Sequence, residues 1–165
     1  MIDQQFFQKI FLLQDMEAEE LQEILKIAQP QTYPAGAVII HEGEAGTSMF
    51  IMRDGEVDIT KRLSLVLDEE VPRERIIIRL KADEGVCFGE MALLENEPRS
   101  ATVTAATDCR LLEIAREDFM GLVQQNRDLG CKLLLRLAQL LSRHLRKTNQ
   151  DMVKLTTAMA IALGR

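Results

Sequence analysis

The sequence predicts an α+β fold: an antiparallel roll or barrel of short strands, with helical segments at both ends. Three observations carry this. Apolar residues recur at helical spacing over the first ~30 residues, at a period of two from Tyr33 onward, and at helical spacing again over the last ~38. Six of the nine glycines (Gly36, Gly43, Gly46, Gly55, Gly85, Gly89) fall at or beside turns within the period-two part. The 165 residues are 47% hydrophobic and 28% charged, an ordinary composition for a globular chain long enough to bury a sizeable core.

In the N-terminal segment, Asp15 is placed to cap a helix whose first turn is acidic (Glu17, Glu19, Glu20), as the helix dipole favours. Leu21, Ile24, Leu25 and Ala28 follow at helical spacing, and Pro30 ends the pattern. The β-rich runs are then "AVIIHEG", "SMFIMRDG", "EVDITKRLSLVL", "ERIIIRL", "GVCFG", "ATVTAAT" and "CRLLEI". They are divided by the turn signals "PAG", "EGEAG", "DG", "LDEEVPRE" and "DEG". Residues 116–125 return to helical spacing through Phe119, Leu122 and Val123.

The last segment reads as one long helix with a seam. Leu134, Ala138, Leu141, Leu145, Thr148, Met152, Leu155 and Met159 follow alternating steps of four and three, a heptad repeat in which Thr148 is the only polar member. Leu133, Leu137 and Leu140 widen the apolar face in the first half, as in a helix packed on its own domain. Beyond Leu145 the stripe narrows to the seam, as in a helix that meets a partner helix. The favoured partner is a second copy of the chain. The expected division is therefore 1–126, a β-roll with N-terminal helices, and 127–165, a long helix for dimerisation.

Charge and composition exclude several classes. The net charge of -6 argues against a general nucleic-acid binder. The sign is uneven: residues 15–44 carry seven acids against Lys26, and residues 127–154 carry seven bases against Asp128 and Asp151. Cys87, Cys109 and Cys131 are odd in number and lack CxxC spacing, so they read as reduced thiols. The N-terminus has no basic start or small-residue cleavage site, and the most apolar run, 133–141, is too short to span a bilayer. A cytoplasmic protein is expected. His41 and His144 lack carboxylate or cysteine partners at ligand spacing, so no metal site is expected. No catalytic Ser/His/Asp or Cys/His arrangement is legible, and Cys87 reads as a core residue rather than a nucleophile.

The informative segment is residues 88–103, "FGEMALLENEPRSATV". A glycine lets backbone approach a ligand without a Cβ in the way. "EMALLE" suits a single helical turn, whose first amides, with the partial charge of the turn, attract an anion. Arg99 can offer a planar fork to a phosphate and Ser100 a hydroxyl. A carboxylate, Glu90, would repel a phosphate unless the ligand also brings a hydroxyl for it to accept, as a ribose 2′-OH does. The residues themselves leave a second reading open, in which Glu90 and Arg99 form an ion pair that closes a loop.

These residues resemble the phosphate-binding cassette of the cyclic-nucleotide-binding domain family, written F-G-E-[apolar]-A-L-…-P-R-[small]-A-x-V, and every position is met. "PAGAVIIHEGEAGTSMFIMRDGEVDI" is similar to the family's first strands. The resemblance spans roughly residues 5–160. It implies an eight-stranded, jelly-roll-like β-roll flanked by helices, binding cyclic AMP or cyclic GMP without enzymatic activity. By the same resemblance, Glu90 holds the ribose 2′-OH and Arg99 the cyclic phosphate, with Gly89, Met91, Ala92, Ser100 and Ala101 completing the cradle.

Ser100 after the arginine, and "RHLRKTNQDMVKL", are most similar to the bacterial catabolite activator class. There Thr148 and Asn149 would meet adenine across a dimer, which favours cAMP, with cGMP the other candidate. That class continues into a helix-turn-helix DNA-binding domain, whereas this sequence ends at "TTAMAIALGR". The expectation is a receptor domain whose C-terminal helix signals to an effector protein or domain, with no membrane and no nucleic acid bound by this chain alone. The rival readings are a cAMP-responsive transcription regulator shorn of its DNA-binding part, and a non-binding dimerisation module.

Overall fold

The computed structural model describes residues 4–62 and 74–164. The chain runs α1 (Gln4–Lys9), α2 (Ala18–Lys26), β1 (Ala28–Tyr33), β2 (Val38–Ile40), β3 (Ser48–Asp54), β4 (Glu56–Arg62) and β5 (Glu74–Lys81). It continues through β6 (Cys87–Phe88), β7 (Thr102–Ala105), β8 (Cys109–Ala115), α3 (Arg116–Gln125) and α4 (Arg127–Ala162). Two short 3-10 turns, Ala82–Glu84 and Glu90–Leu93, interrupt the strands. The strands form two four-stranded antiparallel sheets, β1-β8-β3-β6 and β2-β7-β4-β5, and face each other as a jelly-roll. The expected strand continuation over 63–67 and the turn signal at 67–73 lie outside the described residues.

Strand periodicity divides the core in two. On β3, Met49 and Ile51 join a cluster with the helices, while Phe50 and Met52 point between the sheets. On β8, Leu112 and Ile114 take the helical side and Cys109 and Leu111 the interior. Both strands are central in their sheet and buried on both faces, which is why "SMFIM" is apolar without alternation. Leu129, Leu133 and Leu137 seat the first half of α4 in the helical cluster beside Phe7, Ile10 and Leu13. From Ser142 to Met159 every residue of α4 is exposed.

Two N-terminal expectations need correction. The opening segment is not one continuous helical stretch: turns at residues 11–15 separate α1 from α2. Asp15 does not cap α2. Glu17 occupies the cap position with extended backbone, and its N–H donates to Glu20 Oε2 at 2.7 Å, while Asp15 pairs with Arg136 of α4. The period-two region also starts earlier than Tyr33. Residues 28–33 form β1, an edge strand paired along its length with β8, with Pro30 opposite Leu112. Proline is tolerated there because an edge strand leaves alternate N–H positions without a ladder partner. "AQPQTY" has little strand character of its own, and pairing with β8 creates the strand.

Candidate functional site

β6 leads into Gly89, whose φ of 76° turns the chain into the 3-10 turn of Glu90–Leu93. Ala92 and Leu93 are buried beneath this turn while Met91 is half exposed, and that orientation sends Glu90 inward, leaving it only 7% exposed. Gly89 is required twice. Its φ lies in the left-handed region, and a Cβ there would stand 2.8 Å from Arg99 Nη1. Gly46 clears the other side, where a Cβ would come within 2.9 Å of the Ala92 Cβ and 3.0 Å of Arg99 Nε.

Arg99 is held by backbone at both ends of its length. Its N–H donates to Glu44 O (2.8 Å) and its carbonyl accepts from Gly43 N–H (2.9 Å), beside a β-bridge between Ala45 and Pro98. The guanidinium donates through Nη1 to Gly89 O (3.2 Å) and through Nη2 to Ser48 O (2.6 Å). Burial pulls its pKa down, opposed by the negative charges of Glu113 and Glu90. No carboxylate lies within ion-pair distance of it among the described residues. The loop-closing Glu90–Arg99 ion pair that the sequence left open is therefore not the arrangement here. Two of five N–H donors are engaged, which leaves three and the positive charge for something else.

A cavity of about 620 Å³ opens in front of these groups, within the ~300–1,000 Å³ of small-molecule sites. Gly89, Glu90, Met91, Ala92, Arg99, Ser100 and Ala101 all line it. Another wall is apolar, with Ile40, Ile59, Leu80 and Val103 from the β2-β7-β4-β5 sheet and Val86 from the connection into β6. The fourth side is α4, through Leu140, His144, Lys147, Thr148 and Asp151. Those positions, at spacings of four, three, one and three, share one helical face. Thr148 belongs both to this face and to the heptad seam, where Leu145, Met152, Leu155 and Met159 are each more than half exposed. Its hydroxyl donates to His144 O at 3.0 Å, and its lone pairs remain available to a donor.

Two expectations change. Asn149 does not line the cavity of its own chain, since it is one residue around the helix from Thr148. His144 does have a carboxylate partner: its Nδ1–H donates to Glu90 Oε1 at 3.2 Å, across 54 residues of sequence. The hydrogen bond to Glu90 raises the imidazole pKa, against burial and the positive charges of Lys147 and Arg143. The sequence held one signal for it, because His144 lies four residues before Thr148 and so on the same face. Cys87, behind Glu90, has its thiol pushed up to about 12 by burial and by the Glu90 charge. Among the described residues no cluster of three or more His, Cys, Asp or Glu could hold a metal ion, and no helix is long and apolar enough to cross a membrane.

A model of the cyclic nucleotide-binding domain matches residues 30–126. The chain is 37% identical over 108 residues to a cyclic nucleotide-gated potassium channel of Rhizobium etli, covering 66% of this chain and 26% of the channel. It is 30% identical over 118 residues to a cAMP-dependent protein kinase regulatory subunit of Yarrowia lipolytica, covering 72% of this chain and 28% of the subunit. The chain thus spans roughly a quarter of these relatives. Among solved structures, the Thermus thermophilus catabolite activator protein superimposes with a TM-score of 0.74 at 29% identity, over 88% of this chain and 63% of that one. A cyclic nucleotide-binding domain of Methylobacillus flagellatus shares the fold at a TM-score of 0.77 and 23% identity, over 92% and 84% of the two chains.

Proposed function

This chain belongs to the cyclic nucleotide-binding domain family, and we propose that within it the chain is a cAMP receptor domain that signals through α4. The observation that carries the reading is the pairing of charges at the cavity. A half-buried guanidinium is satisfied by carbonyls rather than by a carboxylate, beside a buried carboxylate that is turned inward. An anion with a neighbouring hydroxyl donor complements both at once. Arg99 takes the cyclic phosphate with Ser100 and Ala101, and Glu90 accepts from the ribose 2′-OH. Gly89, Met91 and Ala92 close the cradle, and the apolar wall receives the flat faces of the nucleotide.

The base is read by α4. Thr148 spends its proton on its own helix, so its oxygen accepts from the adenine amino group. Asn149, directed away from its own cavity, approaches from the second chain of a homodimer. The dimer forms along Leu141, Leu145, Met152 and Leu155; the exposure of Leu145, Met152 and Leu155 on an apolar helix stripe supports a helix partner. Residues 1–126 then act as the ligand-binding part and 127–165 as the dimerising, ligand-capping part. Because one ligand touches both the cassette and α4, binding biases the position of α4, and an effector protein or domain reads that position. The role is that of a cytoplasmic regulator rather than an enzyme. Titration calorimetry with cAMP and cGMP tests it: saturable binding with cAMP tighter than cGMP is expected, and absence of binding by both overturns the reading.

A further inference from the structure

His144 lines the cavity beside Thr148, and its side chain reaches the cassette carboxylate directly. Its Nδ1 sits 3.2 Å from Glu90 Oε1, so Glu90 Oε2 is left for a ligand. α4 is also anchored nearby, since the Arg143 guanidinium lies 4.3 Å and that of Arg136 5.2 Å from the centre of the Phe11 ring. His144 therefore meets Glu90 as part of a seated helix. Its side chain lines the cavity and is 53% exposed, whereas that of Glu90 is 9% exposed.

We propose that His144 is a positioning residue for the ribose end of the site, acting as an imidazolium that orients and neutralises Glu90, so that the cyclic nucleotide binds together with a proton. This rests on the cyclic-nucleotide reading of the cavity. A buried carboxylate facing an incoming phosphodiester anion repels it, and a cation on the far oxygen removes that repulsion without occupying the ribose-facing oxygen. The groups that face the imidazole are few. Glu90 comes from the cassette, with Arg99 beyond it and the neutral Cys87 thiol behind it. Arg143 and Lys147 flank it on its own helix, and Glu95, Glu97 and Asp151 line the same cavity. The Glu90 hydrogen bond, which raises the imidazole pKa, outweighs the two flanking cations. An anion added to the cavity raises it further, so binding takes up a proton and affinity rises as pH falls.

The test is cAMP titration calorimetry of the whole chain at about pH 6 and about pH 8, in buffers of different ionisation enthalpy. Wild type should take up a fraction of a proton and bind several-fold, up to about tenfold, more tightly at the lower pH. His144→Gln keeps a neutral hydrogen-bond donor and should bind weakly with a flat profile. His144→Arg keeps the cation and should bind tightly with a flat profile. His41 is the other histidine and does not line the cavity, so His41→Asn should leave the wild-type profile unchanged. Binding without proton uptake, or a pH profile retained in His144→Gln, overturns the role of His144 alone. Failure of wild type to bind cAMP or cGMP at either pH overturns the nucleotide reading and this one with it.

Discussion

Replacing Arg99 with leucine should separate binding from folding in this domain. The guanidinium lines the cavity with two of its five N–H donors spent on Gly89 O and Ser48 O. A phosphate oxygen accepting one of the free donors puts the two charges about 4 Å apart, worth ~4 kcal/mol at an effective dielectric of ~20. Partial exposure of Arg99 screens this toward ~2 kcal/mol, so the expected loss is about 2–4 kcal/mol, a roughly 30- to 1,000-fold weaker Kd for cAMP. Folding loses two hydrogen bonds to carbonyls, ~1–3 kcal/mol together. In a chain of this length that lowers Tm by roughly 2–4 °C per kcal/mol. Arg99→Lys, which keeps the charge but not the fork to both carbonyls, should fall between. Calorimetric titration gives the affinities, and circular dichroism with a thermal melt establishes that each variant is folded. A folded Arg99→Leu protein within about threefold of wild-type affinity would refute the assignment of Arg99 to the phosphate.

The other expected outcomes concern the ribose, the base and the seam. Wild type should bind 2′-deoxy-cAMP much more weakly than cAMP, and Glu90→Gln should narrow the gap; equal binding of both nucleotides by wild type would leave Glu90 a purely structural partner of His144. Thr148→Val removes the hydroxyl at nearly constant volume and should weaken cAMP about tenfold, the loss of one ~1–1.5 kcal/mol hydrogen bond. The dimer should persist in that variant by sedimentation, and unchanged affinity with a dissociated dimer would make Thr148 a register device instead. Leu145→Asp with Met152→Asp places charges on two exposed seam positions and should give monomers in sedimentation equilibrium, since an apolar seam tolerates few charges. A dimer that survives both substitutions would move the interface elsewhere.

What the sequence determined by itself lies where neighbours along the chain settle the matter. The turns at Gly55 and Gly89 need a positive φ, and, within the described residues, the strand runs and the 116–125 and 127–162 helices follow from hydrophobic period. The cassette was legible because its residues sit within one stretch of sixteen. Tertiary structure decided the rest, through contacts between residues far apart in the chain. "AQPQTY" becomes β1 only because β8 pairs with it more than 75 residues on. Asp15 is diverted from the α2 cap by Arg136. Arg99 is freed from Glu90 because Gly89 O and Ser48 O, the latter 51 residues away, take its donors. His144 finds Glu90 only when α4 folds back across the mouth of the roll. Period and propensity report the local backbone and the face that is buried; they carry no information on which two faces meet. Which charges pair, and which are left for a ligand, is settled by that meeting.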